Sequence, residues 1–441
     1  MKNTMRNAAI LATALLLAAC GGGGGGGGSD GSGSSSTYPR LRLANATAGS
    51  SLVLNAAGLT DTDVTFTSGT VAAGAASAYQ QKKTQSYTVG VSATDGSLIG
   101  STQTLAMSAD TDYTLLAYAR AGSVSTYTLY DDATTPASGF STLAIANAAG
   151  DAGTLDVYLV SPGGALNGLS PAYSTLYGKT TSSGKTLTAG TYDIVVTASG
   201  KPADVRLTVP SVALASGEAS TLALTSTPGG GLVDGALVRQ GGTISTYPTT
   251  KARVRLVGAF PAGPSSNSIV RATIGSTALP AVTAPSVGVY TLVTANTSSW
   301  SVTVDGVAVA DLPAAEFEYG GDYTVLAYGD PASPRVAVFT DSNLPSTSGA
   351  AYLRTVNAAV SGGGLTLTDD YVPINVDVQY GTASTYSPAT ASTSSVVEVS
   401  SPVAAFPTYT VSDFNIASSG VYTVFVLGST SAPVVSFARD R

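Results

Sequence analysis

The feature that most limits the fold is a strand–turn–strand phrase recurring at intervals of about 100 residues. DYTLLAYARAGSVSTYTLYDD starts at Asp112, DYTVLAYGDPASPRVAVFTDS at Asp322 and VYTVFVLGSTSAPVVSFARD at Val421. A looser copy, ASTLALTSTPGGGLVDGALVRQ, starts at Ala219. Each predicts a hairpin that closes a unit. The openings recur too: RLRLANA at Arg40, STLAIANAAG at Ser141, RVRLVGAF at Arg253 and YLRTVNAAVSG at Tyr352. The expected units are 39–135, 138–241, 250–344 and 349–441, each long enough to bury a small sandwich core. Ser-Thr-Tyr-Pro ends at Pro39 and again at Pro248, which suggests a duplicated pair with a seam at 241–250.

Between these landmarks the apolar period is two. Tyr192, Ile194 and Val196 alternate with polar neighbours, and Val205, Leu207 and Val209 do the same. Trp300–Val304 and Val307–Ala308 flank Asp305-Gly306, a strong signal for a two-residue hairpin turn. Beyond the N-terminal segment, no stretch sustains a 3.6-residue period for three turns. The prediction is all-β: four tandem β-sandwich modules.

The N-terminus reads differently. Lys2 and Arg6 precede an apolar run, Ala8–Leu17, too short to cross a bilayer, which takes about 20 residues. Residues 1–19 fit a secretory signal peptide. Leu17-Ala18-Ala19-Cys20 resembles the lipobox of bacterial lipoproteins. The resemblance implies cleavage before Cys20, a thioether from its sulfur to diacylglycerol and acylation of the new amine. The partner so implied is the lipid bilayer. Gly21 after the cysteine implies sorting to the outer membrane, on its periplasmic or cell-surface face. Residues 20–38 form a Gly/Ser linker with an r.m.s. span of about 25 Å and a taut limit of about 70 Å.

What the chain lacks is informative. It has no histidine, which removes the commonest general base, the commonest zinc ligand and every Ser-His or Cys-His nucleophile. Its single cysteine excludes disulfides. With 20 Lys and Arg against 27 Asp and Glu, the balance is acidic and argues against a nucleic-acid partner. Several stretches imitate active sites. Gly184-Lys185-Thr186 suggests a P-loop, but Lys179 stands where the motif needs glycine, and a strand follows. The pairs Asp61/Asp63, Asp110/Asp112, Asp131/Asp132 and Asp369/Asp370 resemble fragments of calcium loops; they read better as turn residues whose carboxylates stay in solvent. Glu316 and Glu318 lie on one side of a strand that faces water. Trp300 and the tyrosines could stack on sugars, yet are first of all packing residues. No catalytic residue, cofactor or metal is expected, and Cys20 is the one site residue.

LDVYLV at Leu155, LTAGTYDIVVTASG at Leu187 and LASGEASTLALTS at Leu214 resemble a family of bacterial envelope lipoproteins, domain of unknown function 4397. The resemblance implies immunoglobulin-like modules, often in tandem, with no established catalytic residues. Many members carry a histidine near the end of the opening strand, where this chain has Asn45, Asn147, Asn357 and, in the third unit, Gly258. The function expected is a non-enzymatic structural or adhesive scaffold in the cell envelope, with an envelope protein or glycan as partner. The alternative is a ligand- or glycan-binding outer-membrane lipoprotein.

Overall fold

The computed structural model describes residues 38–120, 122–179, 184–263, 267–346, 349–404 and 408–440. Cys20, the signal peptide 1–19 and the glycine-rich segment lie outside the described residues. The described chain is all-β and forms eight sheets.

The first sandwich shows the plan. Its opening strand, Arg40–Asn45, runs parallel to Asp112–Arg120, with Arg40 opposite Asp112 and Arg42 opposite Thr114. Asp112–Arg120 then forms the closing hairpin with Ser123–Tyr130. The facing sheet carries Leu52–Gly58, Ser86–Ala93 and Leu98–Ala106. Leu41, Leu43, Leu54, Val89, Val91 and Leu115 fill the space between the two sheets. The parallel pairing recurs in every sandwich, with Ala144 opposite Thr221, Arg255 opposite Thr324 and Arg354 opposite Thr423. One consequence is geometric: in the first, third and fourth sandwiches the chain enters and leaves at the same end. In the first, Arg40 starts the opening strand beside Asp112, and Asp131, just past the last strand, donates its N–H to the Asp112 carbonyl.

Alternation in the opening strand decides how the sandwiches pack. Leu41 and Leu43 point into their own core, which sends Arg42 and Ala44 to the other face. That face is covered, not wet. Ala44, Leu116 and Leu129 of the first sandwich pack on Ala146, Ala223, Ala236 and Val238 of the second. In the same way Val257, Leu326 and Ala259 of the third pack on Val356, Ala358, Phe425 and Leu427 of the fourth. Each fully buried leucine or valine contributes about 1.5–3 kcal/mol, so these faces bind two sandwiches into one body. The small alanines let the sheet backbones approach.

The Asp305-Gly306 turn forms as the sequence predicts, with φ of 52° and 85°, the conformation of a two-residue type I′ hairpin. The seam at 241–250 differs from expectation. Ile244–Tyr247 adds an edge strand to Val233–Arg239, so the second sandwich runs past residue 241. The Thr249 N–H donates to Asp234 Oδ1 at 2.7 Å. The second and third sandwiches also touch directly, because Gly229 exchanges backbone hydrogen bonds with Gly320 and Asn343 at 2.9 Å each. An alternating Tyr-Pro-rich stretch offers period-two pairing as readily as a linker, and a free sheet edge was there to take it.

Candidate functional site

The charged residues of the opening strands and closing hairpins converge at the two junctions. In the first, Arg42 is 2% exposed. Its Nε donates to Thr114 Oγ1 at 2.7 Å and its Nη2 to Asp131 Oδ2 at 3.0 Å. The remaining donors cross to the second sandwich, onto the carbonyls of Arg239 and Gly242 at 2.7 Å each. The Tyr79 ring lies 4.5 Å from the guanidinium, and its hydroxyl donates to Asp131 Oδ2, as does that of Thr114. A second crossing pair, Arg120 with Asp151 at 2.8 Å, lies on the same junction.

The second junction uses the same parts twice. Arg255 donates to Thr324 Oγ1 at 2.8 Å and to Asp341 Oδ2 at 3.3 Å, then reaches across to Asp440. Arg354 of the fourth sandwich reaches back to Asp341 Oδ1 at 2.5 Å. Tyr290 and Thr324 donate to Asp341 Oδ2 at 2.6 Å, and Thr423 donates to Asp440 Oδ2 at 2.6 Å. The rings of Tyr290 and Tyr386 lie 4.6 Å from Arg255 and Arg354. The exchange is reciprocal, as in an isologous dimer interface. Burial alone would push the Asp341 carboxyl up, but Arg354 and Arg255 hold it below its ordinary value. Burial dominates at Asp440 and raises it, with Arg255 opposing. Burial pushes the phenols of Tyr79, Tyr290 and Tyr386 up, so they stay hydrogen-bond donors.

Two cavities border these clasps. One, of about 590 Å³, lies in the first junction between Asp131, Ala144, Thr221 and Gln240. The other, of about 1100 Å³, is an open groove where the second, third and fourth sandwiches meet, flanked by Arg206, Arg253 and Tyr290. Its arginines are engaged: Arg253 clamps Asp322 through two bonds of 2.7 and 2.6 Å, and Arg206 pairs with Asp204 at 2.7 Å.

The carboxylates correct the sequence reading. Asp131, Asp322 and Asp341 do sit at strand ends, but they are buried against arginines instead of solvated at turns. Asp110 and Asp370 are turn residues with φ of 58° and 47°, and Asp61 pairs at the surface with Lys83. Asp369 is buried, and burial raises its carboxyl. Glu316 and Glu318 are exposed on either side of buried Phe317. Trp300 packs edge-on against Phe317 at 6.0 Å. Gly184 and Lys185 lead into the edge strand Lys185–Thr188, and Lys179 borders the smaller cavity. Among the described residues no cluster of three or more acidic, histidine or cysteine side chains could hold a metal.

The asparagines in the family's histidine position are clasps of another kind. Nδ2 of Asn45 donates to the carbonyls of Ser50 and Val71, that of Asn147 to Gly153 and Thr175, and that of Asn357 to Gly363 and Val378. Each Oδ1 accepts the N–H two residues on. All three are fully buried and tie the end of the opening strand to the facing sheet. Where Gly258 replaces them, a Cβ would lie 3.0 Å from Val270 and 3.1 Å from Ala284, so close packing does this work instead.

Fold and junctions define a class: tandem two-sheet sandwiches locked face to face in pairs. The family model for the domain of unknown function DUF4397 matches residues 39–158 and 252–368, more than half of the chain, and the protein belongs to that family. Both matches begin at an opening strand and end inside the next sandwich. No curated protein matches the chain. Among solved structures, a Bacteroides uniformis protein provisionally named for cell adhesion shares 14% identity, with 46% of this chain and 97% of that one covered and a TM-score of 0.20. The Bacillus anthracis TIE protein shares 9% identity over 87% of this chain and 69% of its own, with a TM-score of 0.13. At these scores neither likeness bears on function.

Proposed function

We propose that the protein is a bacterial cell-envelope lipoprotein, anchored in the outer membrane through acylated Cys20, whose body is a non-enzymatic structural or adhesive scaffold. The observation that carries this reading is the reciprocal exchange between Arg255/Asp341 and Arg354/Asp440, which spends buried charge on joining modules. Such a body suits holding a fixed shape at the end of a leash. Its partners are the bilayer and an envelope protein or glycan; an acidic chain with a net charge of −7 does not suit nucleic acid. The cavity of about 590 Å³ favours the second reading, a ligand- or glycan-binding lipoprotein.

The test starts at the anchor. Intact mass of the mature N-terminus is expected to show a triacylated Cys20, and Cys20→Ser is expected to release the protein from membranes. A deletion strain is expected to alter attachment or envelope integrity, and the purified protein to leave glycoside, ester and peptide panels uncleaved. A mature start elsewhere, or turnover abolished by one Asp, Glu or Ser change, would overturn the reading.

A further inference from the structure

The second junction displays what the first is missing. Arg354 stands opposite Thr423 in its parallel ladder, and Ala144 stands opposite Thr221, so Ala144 holds the place of Arg354. On the other side, Ser387 pairs with Leu353 and Lys185 pairs with Leu143. The residue before each is Tyr386 in one sandwich and Gly184 in the other. The first junction therefore lacks both the guanidinium and the ring it rests on. The cavity of about 590 Å³ opens at that place. Four of its wall residues, Ala144, Thr221, Asp131 and Gln240, are the register counterparts of Arg354, Thr423, Asp341 and Asp440.

One carboxylate makes the gap chemically specific. Asp341 takes Tyr290, Thr324 and Arg255 on Oδ2 and Arg354 on Oδ1. Asp131 takes the equivalent trio, Tyr79, Thr114 and Arg42, on Oδ2. Its Oδ1 accepts no donor among the described residues, although the side chain is only 3% exposed and borders the cavity. That oxygen faces the cavity, where solvent is its remaining partner, so it is open to a donor that enters the space. The group that satisfies it across a junction of this shape is a planar cation with N–H donors, as Arg354 does in the other half. Asp132 and Lys179 are exposed at the rim and offset each other, so the selectivity lies deeper, at Asp131.

We propose that this cavity binds a guanidinium group supplied from outside the chain, either a free arginine-like small molecule or an arginine side chain of a protein partner. The site stands independently of the anchor and of the scaffold reading. The test is titration calorimetry on the full chain in detergent with L-arginine, with the capped tripeptide acetyl-Gly-Arg-Gly-amide, and with citrulline, the uncharged analogue of the same shape. At least one guanidinium compound is expected to bind, with citrulline about tenfold weaker or worse. Tighter binding of free arginine assigns the site to a small molecule, and tighter binding of the tripeptide to a protein partner. Ala144→Arg supplies the group from within and is expected to abolish binding. Ala144→Leu, which plugs the space without charge, is expected to do so too and serves if the arginine variant does not fold. Silence of both guanidinium compounds at about 10 mM, citrulline bound as tightly as arginine, or binding undiminished in the folded variants would overturn the proposal.

Discussion

The two junctions are built from one set of parts and end up with different electrostatics. In the second, two arginines and two aspartates cross-bridge, so each sandwich carries half of every clasp. In the first, one arginine and one aspartate belong to the same sandwich, and the second sandwich answers with backbone carbonyls. Cross-bridging makes each module's charges depend on its neighbour. At the Arg42 clasp the first pair escapes that dependence and keeps an open space instead, its one crossing ion pair being Arg120–Asp151. Duplicated modules can thus share a packing face and still diverge in what that face does.

The sharpest way to break this comparison is to remove one carboxylate from each side. Asp341→Ala leaves buried Arg354 without a carboxylate and Arg255 with Asp440 alone, and a loss of about 3–5 kcal/mol is expected. Asp131→Ala strands Arg42 alone, which keeps two carbonyls, and about 2–3 kcal/mol is expected. Urea unfolding separates them, because the single tryptophan, Trp300, lies in the third sandwich. Its fluorescence should follow the first variant strongly and the second weakly, while circular dichroism follows both. Equal losses, or equal Trp300 shifts, would erase the distinction between the junctions.

The asparagine clasps give a control that ignores the junctions. Asn147→Ala and Asn357→Ala each leave two buried carbonyls and one N–H without a partner. Both are expected to cost about 2–3 kcal/mol in the same denaturation experiment. A large difference between them would mean that the halves differ beyond their junctions.

Acid titration sharpens the comparison on one side only. Burial holds the Asp234 carboxyl up at about 6, with the Thr249 N–H partly opposing. Its ordinary value is about 3.9, so the native state binds this proton more tightly than the unfolded chain. The stabilisation is complete below about pH 4 and is lost as pH rises through about 6. Asp234→Asn should remove this slope and gain about 1–3 kcal/mol at pH 7.5 relative to pH 4.5. Thermal melts at the two pH values check it, and a parallel slope in the variant would contradict it. The smallest effect is expected at the surface: Lys83→Ala, which breaks the exposed pair with Asp61, should leave the melt unchanged.

The sequence announced the four closing hairpins and the Asp305-Gly306 turn because those depend on local period and local φ. It was silent on the junctions for a physical reason. In RLRL the arginines alternate with core leucines, the pattern a half-exposed strand also shows. Only a second sheet laid over the outer face turns Arg42 from a surface charge into a buried one. The aspartates were placed correctly at strand ends and given the wrong surroundings, because burial there comes from the neighbouring sandwich. Ala144 and Gly184 carry no signal of their own in the sequence; their meaning appears when the strand registers set them beside Arg354 and Tyr386. The edge strand at Ile244–Tyr247 was hidden by its resemblance to the stretch ahead of Arg40.

Because the first, third and fourth sandwiches admit and release the chain at one end, a pull along the backbone would load each of them there. The opening strand and the last strand would be drawn apart across the strand that separates them. Ladder hydrogen bonds loaded this way give one at a time, like a zip, and resist weakly. The bidentate Arg253–Asp322 pair and the Arg40–Asp112 pair sit at that end, on the first residues of the parallel strands. They are the teeth that must part first, so a protein tethered in flow would owe its mechanical threshold to a few ion pairs at the mouths of its modules and not to its cores.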